Sequence, residues 1–369
     1  MAASKRIALV HLFSNGDCLY ATTVARQIKQ DFPDTELTWI ISAACAPMLL
    51  HNPYVDVIEA LSNVSKSDTP AFRQLERKLR AEERSGKWHR VFITHNSLGT
   101  NQAYYDGCTR SNVLQAYPNP ITVPIQPVLE LSAEEHAVAE RFAADHSLRQ
   151  YKYVILFEFA PLSGQSLITR DMAIEIAEQL VAFGDTAVIL SSANRVDHPH
   201  PAVIDGSVLN LRETAALTHQ VNFLLGTSSG ITWMSTASGS KSLPMVQLYQ
   251  PGARFENPVS RDFARFGLAL HQLIEITELD VAKAVAVVRA ALTDFPTAKQ
   301  RYHQRIPLHF RTTRSIVYNM LVYGEFKAIW RHIRVNTQRY GAHPDFWANV
   351  VLGVLEAPFK FIKNRINKR

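Results

Sequence analysis

IALVHLFSNGDCLYATTVARQIKQDFPDTELTWIIS, residues 7–42, decides the fold. Its first seven residues are a short apolar run closed by Ser14-Asn15-Gly16-Asp17, the pattern of a buried strand ending in a turn. Residues 18–32 carry Leu19, Val24 and Ile28 at helix-compatible spacing, and Pro33-Asp34 stops them. LTWIIS, 37–42, reads as a second strand. Strand, turn, helix, turn and strand in this order form the unit of a parallel sheet.

Outward from this unit the pattern continues. Residues 55–60 and 90–94 read as strands with a charged helix, 72–85, between them. The pattern then restarts with a helix at 133–145 and an apolar β-rich run at 153–159. An amphipathic helix follows at 171–183, with Met172, Ile176, Leu180 and Phe183 on one side. Strands are expected at 187–191, 222–225 and 245–249, with helices at 212–219 and 231–238. The reading is α/β, in two halves with a junction near 146–152. A first Rossmann-like domain covers 1–148, a second covers 149–298, and an extension covers 299–369. Open parallel sheets bind ligands beyond the carboxyl ends of their strands, so two facing edges make a cleft.

The composition suits this. The chain has 369 residues, 47% hydrophobic and 20% charged, which excludes disorder of the whole. Cys18, Cys45 and Cys108 lack metal spacing, which argues for a reducing compartment over a disulfide framework. No leader-like stretch is expected before residue 7, and no apolar run of about 18 residues spans a bilayer. The net charge of +6 is unevenly placed. Residues 299–369 hold 14 Lys/Arg against 3 Asp/Glu, a surplus of +11, and the first 298 hold 25 against 30, or −5.

Two βα turns offer chemistry, and each also has a plain structural reading. Asp is a preferred N-cap, and in that role Asp17 only satisfies backbone amides. The alternative is a carboxylate at the cleft mouth that takes a proton from an acceptor hydroxyl, with Asn15 and Gly16 as the acceptor-side loop. Gly16 would allow the sharp turn. Gly226-Thr227-Ser228-Ser229-Gly230-Ile231-Thr232 is again strand to turn to helix. Amides and hydroxyls at a helix N-terminus suit an anion such as a diphosphate, although many βα turns are rich in Gly and Ser. The segment APLSGQSLITR, 160–170, brings Ser163, Gly164 and Gln165 to the same cleft or is an ordinary loop. His198-Pro199-His200-Pro201 has no partner cluster and reads as an exposed loop, so no metal site is expected.

In order and spacing, three stretches resemble glycosyltransferase family 9, the lipopolysaccharide heptosyltransferase family. The first is Gly16-Asp17, then ATTVARQIK (21–29), Phe32-Pro33 and LTWII (37–41). The second is Asn52-Pro53-Tyr54-Val55-Asp56, and the third is LRETAAL (211–217) leading into LLGTSSGIT (224–232). The likeness covers roughly 5–290. It implies a GT-B fold, two Rossmann-like domains facing across a cleft. It implies an inverting, metal-independent transfer of a sugar, by default heptose from ADP-heptose, onto a lipid-linked saccharide such as lipopolysaccharide core. The nucleotide sugar is a substrate, and no cofactor is implied.

Asp17 falls on the family's candidate general base, and Ser229 and Gly230 on its donor-phosphate turn. Leu209 and Ile231 fall near its apolar contacts to the nucleoside. The expected nucleotide-sugar set is Ser163, Gly164, Arg170, Leu209, Ser228, Ser229, Gly230, Ile231, Thr232 and Trp233, with Lys241 as a further cation. The chain departs from the family in three places. Ser228 stands where the family has Asp, Trp233 stands where it has His, and Arg170 is the nearest cation to its loop Lys. A second reading is therefore a non-catalytic glycan- or nucleotide-binding protein of envelope assembly.

In the basic end, 316–333 is expected to be one helix, with Ile316, Met320, Ile329, Trp330 and Ile333 at helical spacing. Residues 344–362 form another through Trp347, Val351, Val354, Leu355, Phe359 and Ile362. They run into Lys360, Lys363, Arg365, Lys368 and Arg369. Such an end lies on an anionic membrane, packs back on the first domain, or binds nucleic acid, and no recognised nucleic-acid module in the body supports the last. A lipid-linked acceptor favours a cytoplasmic protein peripheral on the inner face of the bacterial cytoplasmic membrane.

Overall fold

The computed structural model describes residues 5–62, 64–65, 69–95, 101–107, 111–160, 166–249, 258–277 and 280–366. The first domain holds β1 (Lys5–Val10), α1 (Asn15–Asp31), β2 (Thr35–Ser42), β3 (Val57–Leu61), α2 (Thr69–Arg84), β4 (Arg90–Ile93) and α3 (Ser111–Gln115). Next come α4 (Ala133–Asp145), β5 (Tyr153–Glu158), α5 (Arg170–Val181), β6 (Thr186–Ser191), β7 (Val203–Asp205), α6 (Leu211–Leu217) and β8 (Phe223–Gly226). The second domain continues with α7 (Gly230–Met234), β9 (Met245–Leu248), α8 (Val259–Phe266), β10 (Leu273–Ile276), α9 (Val281–Thr293) and α10 (Phe295–Tyr302). The last helices are α11 (Arg311–Val322), α12 (Phe326–Tyr340) and α13 (Pro344–Ile366).

Every strand pairing is parallel. The first sheet runs β3-β2-β1-β4 and the second β7-β6-β5-β8-β9-β10, the order of a dinucleotide-binding domain. Parallel sheets are covered on both faces, which is why β6, TAVILS, is buried at every position and reads as an unbroken apolar run.

Three expectations change. The helix at 133–145, counted with the first domain, is α4, which packs on α6 of the second. A capping box of Ser132 and Glu135 starts it, and Glu135 then pairs with buried Arg212 of α6. Arg212 also donates from Nη1 to the Pro47 and Leu50 carbonyls of the first domain, at 3.3 Å each, so this side chain ties the two domains. The extension begins later than 299, because α10 packs on α9 and β10. The single helix expected over 316–333 is two, since Gly324 ends α11 at φ +71°, a conformation glycine adopts without a Cβ clash. Phe183, read on one side of its helix with Met172, Ile176 and Leu180, and Trp330, read at helical spacing with Ile316 and Met320, are 54% and 70% exposed.

The last helices also return to the first domain. Ile316, Met320 and Ala328 pack with Ala103 and Tyr105. Buried Asp106 pairs with Arg265 of α8 and Arg339 of α12, both at 3.2 Å, so one carboxylate joins the first domain to the second and to the extension.

Candidate functional site

The strand order reverses between β1 and β4 in the first sheet and between β5 and β8 in the second. Those switch points are where such sheets hold ligands. The turns after β1 and β8 leave these points and meet. A Cβ built on Gly230 would lie 3.8 Å from the Gly16 nitrogen, so the turns touch across the domains. Behind that contact α1 packs on α7 through an aromatic seam. The Tyr20 and Trp233 ring centroids are 5.1 Å apart, Trp233 and Phe263 5.4 Å, and Tyr20 and Phe266 5.5 Å.

Asp17 is not the helix cap. Ser14 holds that position, and its side chain makes no capping bond. Asp17 lies inside the first turn of α1, where the helix dipole favours a carboxylate, and it is half-buried. Asn15 Oδ1, two residues before it, is buried and finds no hydrogen-bond partner among the described residues. A substrate hydroxyl would satisfy it. The positive φ falls on Ser14 (+70°) and, in the second turn, on Ser228 (+60°), not on Gly16, Gly226 or Gly230.

The second turn commits most of its polar atoms inward. Thr227 N and Oγ1 both donate to Glu158 Oε2 at 3.3 Å. Ser228 N donates to Gln247 Oε1 at 2.7 Å, and Thr232 Oγ1 donates to the same oxygen at 3.2 Å. Ile231 N donates to Ser229 Oγ at 3.1 Å, and the Ser229 hydroxyl reaches Glu158. With only five residues, α7 carries little dipole. The open amide cradle expected from the sequence is therefore a turn locked from below, with Gly230 presented to the first domain.

Glu158 and Gln247 do the locking, and sequence reasoning missed both. Each is a lone polar residue in an apolar strand, YVILFE and MVQL, and that is the signal that could have found them. Burial pushes the Glu158 carboxyl up to about 7, against the hydrogen bonds from Ser229 and Thr227 that favour its charged form.

The other expected donor-side residues are scattered. Arg170 is exposed at the start of α5, on the same sheet edge. Leu209 follows β7 at that edge and is half-buried. Ile231 and Trp233 are buried, and Trp233 faces the aromatic seam. Ser163, Gly164 and Gln165 lie outside the described residues, as does Cys108. Lys241 is at the opposite edge, before β9, where Nζ donates to the Val221 carbonyl at 3.0 Å. His198 meets Glu178 at 3.0 Å, and its Nδ1 accepts the His200 amide, so this pair of histidines is used within its loop. Among the described residues no group of three or more His, Cys, Asp or Glu is placed to hold a metal ion.

Two solved structures share this architecture. A glycosyl transferase family 9 protein from Veillonella parvula is 15% identical, covering 82% of this chain and 95% of its own, with a TM-score of 0.52. The E. coli ADP-heptose lps heptosyltransferase II is 15% identical, covering 79% of this chain and 99% of its own, with a TM-score of 0.52. No protein-family model and no curated protein matches the chain. At this identity the likeness is one of fold. The chain has the GT-B fold of these two structures, with two parallel α/β domains across a cleft and a helical C-terminal region.

Proposed function

We propose that the chain is an inverting, metal-independent glycosyltransferase. It moves a sugar from a nucleotide sugar, ADP-heptose by default, to a hydroxyl of a lipid-linked saccharide such as lipopolysaccharide core. The observation that carries this reading is the meeting of the Asp17 turn with the Ser229-Gly230 turn. The two glycosyltransferase structures that share the fold support the reaction class.

A single displacement forms the bond from the acceptor oxygen to the anomeric carbon as the bond to the diphosphate oxygen breaks. It needs a base for the acceptor proton and a holder for the departing diphosphate. Asp17 takes the proton. Asn15 Oδ1 accepts a second hydrogen bond from the acceptor and orients it. Ser229, Gly230 and the Arg170 guanidinium hold the diphosphate. Because the turns touch, the domains part to admit the donor and close on it, excluding water.

The proposed workplace is the inner face of the cytoplasmic membrane, with the basic 299–369 segment toward anionic lipid. Among the described residues no helix is long and apolar enough to cross a membrane. The test is release of ADP from ADP-heptose in the presence of a lipid-linked core acceptor. Asp17→Asn should slow it about 10²–10⁴-fold, and undiminished turnover in that variant removes the proposed base.

A second reading is favoured by Trp233. It is buried in the seam at the position where the resembling family has a His. The chain would then bind nucleotide sugars without turnover. Calorimetric donor binding with no product after prolonged incubation decides for it.

A further inference from the structure

Helix α13 is amphipathic in the reverse sense. Its inner face packs on α11 through Phe346 and Val350. A Cβ on Gly353 would lie 2.7 Å from the Arg314 carbonyl oxygen, so the two helices approach as closely as glycine permits. The polar groups also point inward. Asp345 Oδ2 accepts from Phe310 N at 2.6 Å, Asn349 Nδ2 donates to the Asp345 carbonyl at 2.8 Å, and Glu356 pairs with Arg314. Trp347, Val351, Leu352, Val354, Leu355 and Phe359 remain outward, 37–75% exposed, with no charged residue among them. A helix facing water shows the opposite distribution, and monomeric proteins rarely expose so continuous an apolar face.

We infer that this face of α13 inserts into one leaflet of an anionic bilayer and lies along the interface. The inference rests on the membrane-surface reading above and replaces contact by charge alone with insertion. The charge around the helix names the occupant. All three acids of 299–369 are engaged within the protein: Glu325 with Arg73 at 3.1 Å, Asp345 with Phe310 N, and Glu356 with Arg314. Arg311, Lys327, Arg331 and Arg334 are exposed on α11 and α12. An exposed apolar face, on a helix that does not qualify as a span and within a segment carrying 14 Lys/Arg against 3 Asp/Glu, matches an interfacial anchor.

Flotation of the full-length protein with vesicles of phosphatidylethanolamine and phosphatidylglycerol, about 3:1, tests this. Binding should persist in about 1 M salt, where the screening length is about 3 Å. The Val351→Asp/Leu355→Asp double variant should bind about 100-fold more weakly or worse. Both side chains are exposed, so its melting curve should match the parent. Trp39, Trp88 and Trp233 are buried, so a Trp330→Phe background leaves Trp347 as the exposed tryptophan. Its fluorescence should be quenched by lipids brominated in the acyl chain. Full release by salt, with the double variant binding like the parent, leaves the charge contact standing and removes insertion. No vesicle binding at all removes both. A dimer in solution that the double variant dissolves gives the face to a second copy and overturns the inference.

Discussion

The turns after β1 and β8 are built alike and equipped differently. Each leaves the carboxyl end of a central parallel strand at a switch point, and each passes through a serine with positive φ, Ser14 or Ser228. The first puts the half-buried carboxylate of Asp17 in the opening turn of a 17-residue helix. The second precedes a five-residue helix and spends the Thr227 and Ser228 amides on Glu158 and Gln247. An acidic residue thus stands at each turn, Asp17 in the helix after β1 and Glu158 at the end of β5 beneath the turn after β8, and Glu158 is only 3% exposed. Topology decides where a ligand meets the sheet, and solvation decides what a carboxyl there can do.

The sharpest way to break this comparison is to exchange the roles. Asp17→Asn should lower the transfer rate about 10²–10⁴-fold, the usual range for a general base, with little change in melting temperature. Glu158→Gln should stay within about tenfold of the parent, because a buried carboxyl under the turn touches no acceptor proton. Initial rates of ADP release compare the two. Equal losses would show that the buried acid takes part in the chemistry and that the contrast drawn here is wrong.

The next effect is in stability. Burial pushes the Glu158 carboxyl up to about 7 in the folded protein, from an ordinary value of 4.5. Between these values the unfolded chain releases a proton that the folded chain keeps, so the contribution of Glu158 to stability falls as pH rises through that window, while buried His11 and His332, pushed down to about 4, act in the opposite sense below about 6.5. The loss levels off above the folded value, at about 3 kcal/mol. Urea unfolding at pH 5 and pH 8 should show Glu158→Gln flattening this fall. Burial also pushes Glu275 up to about 7, so the fall should be reduced and not removed. An unchanged slope in Glu158→Gln would mean that Glu158 is already ionised when folded.

Much of this was legible in the sequence, and the gaps have physical causes. Strands such as β1 and β6 read clearly because a parallel sheet buries both faces. The strands β7 and β10, VID and LIEI, are too short to show a period. Asp17 and Ser229-Gly230 stand out in the sequence because they follow apolar runs. Glu158 and Gln247 were not, since a lone polar residue in such a run gains meaning only when the topology sets it under a turn. Glycine marks where a left-handed residue costs least, yet here Ser14 and Ser228 carry the positive φ, and no sequence pattern announces that. In α13 the periodicity showed which residues share a face and not which way the face points.

A smaller effect separates the groups beneath the turns. Gln247→Ala removes the acceptor for Ser228 N and Thr232 Oγ1, and a buried group left without a partner costs about 1–3 kcal/mol. Asn15→Ala removes an acceptor that has no partner to lose among the described residues, so its stability should change by less than about 0.5 kcal/mol. Its effect should appear in KM for the acceptor. Denaturant midpoints together with acceptor titrations check both. A strongly destabilised Asn15→Ala would mean that the residue supports the turn and does not await a substrate.

The smallest effect tests whether the first turn is strained in order to aim Asp17. Ser14 sits at φ +70° and ψ +103°, outside the compact left-handed well. Such strain costs about 1–3 kcal/mol and persists only where the surroundings enforce it. Ser14→Gly removes the steric cost but adds freedom to the unfolded chain, about 0.5–1 kcal/mol against folding. The balance should be neutral to stabilising, by no more than about 2 kcal/mol, and no cap bond is lost because the Ser14 side chain makes none. Transfer should slow by less than about tenfold as the turn loosens around Asp17. A stabilised variant with a slower rate would show that strain in the first turn holds the carboxylate in place. A destabilised one would show that the serine is held by a contact of its own, and the first turn, like the second, would then be locked by its hydrogen bonds.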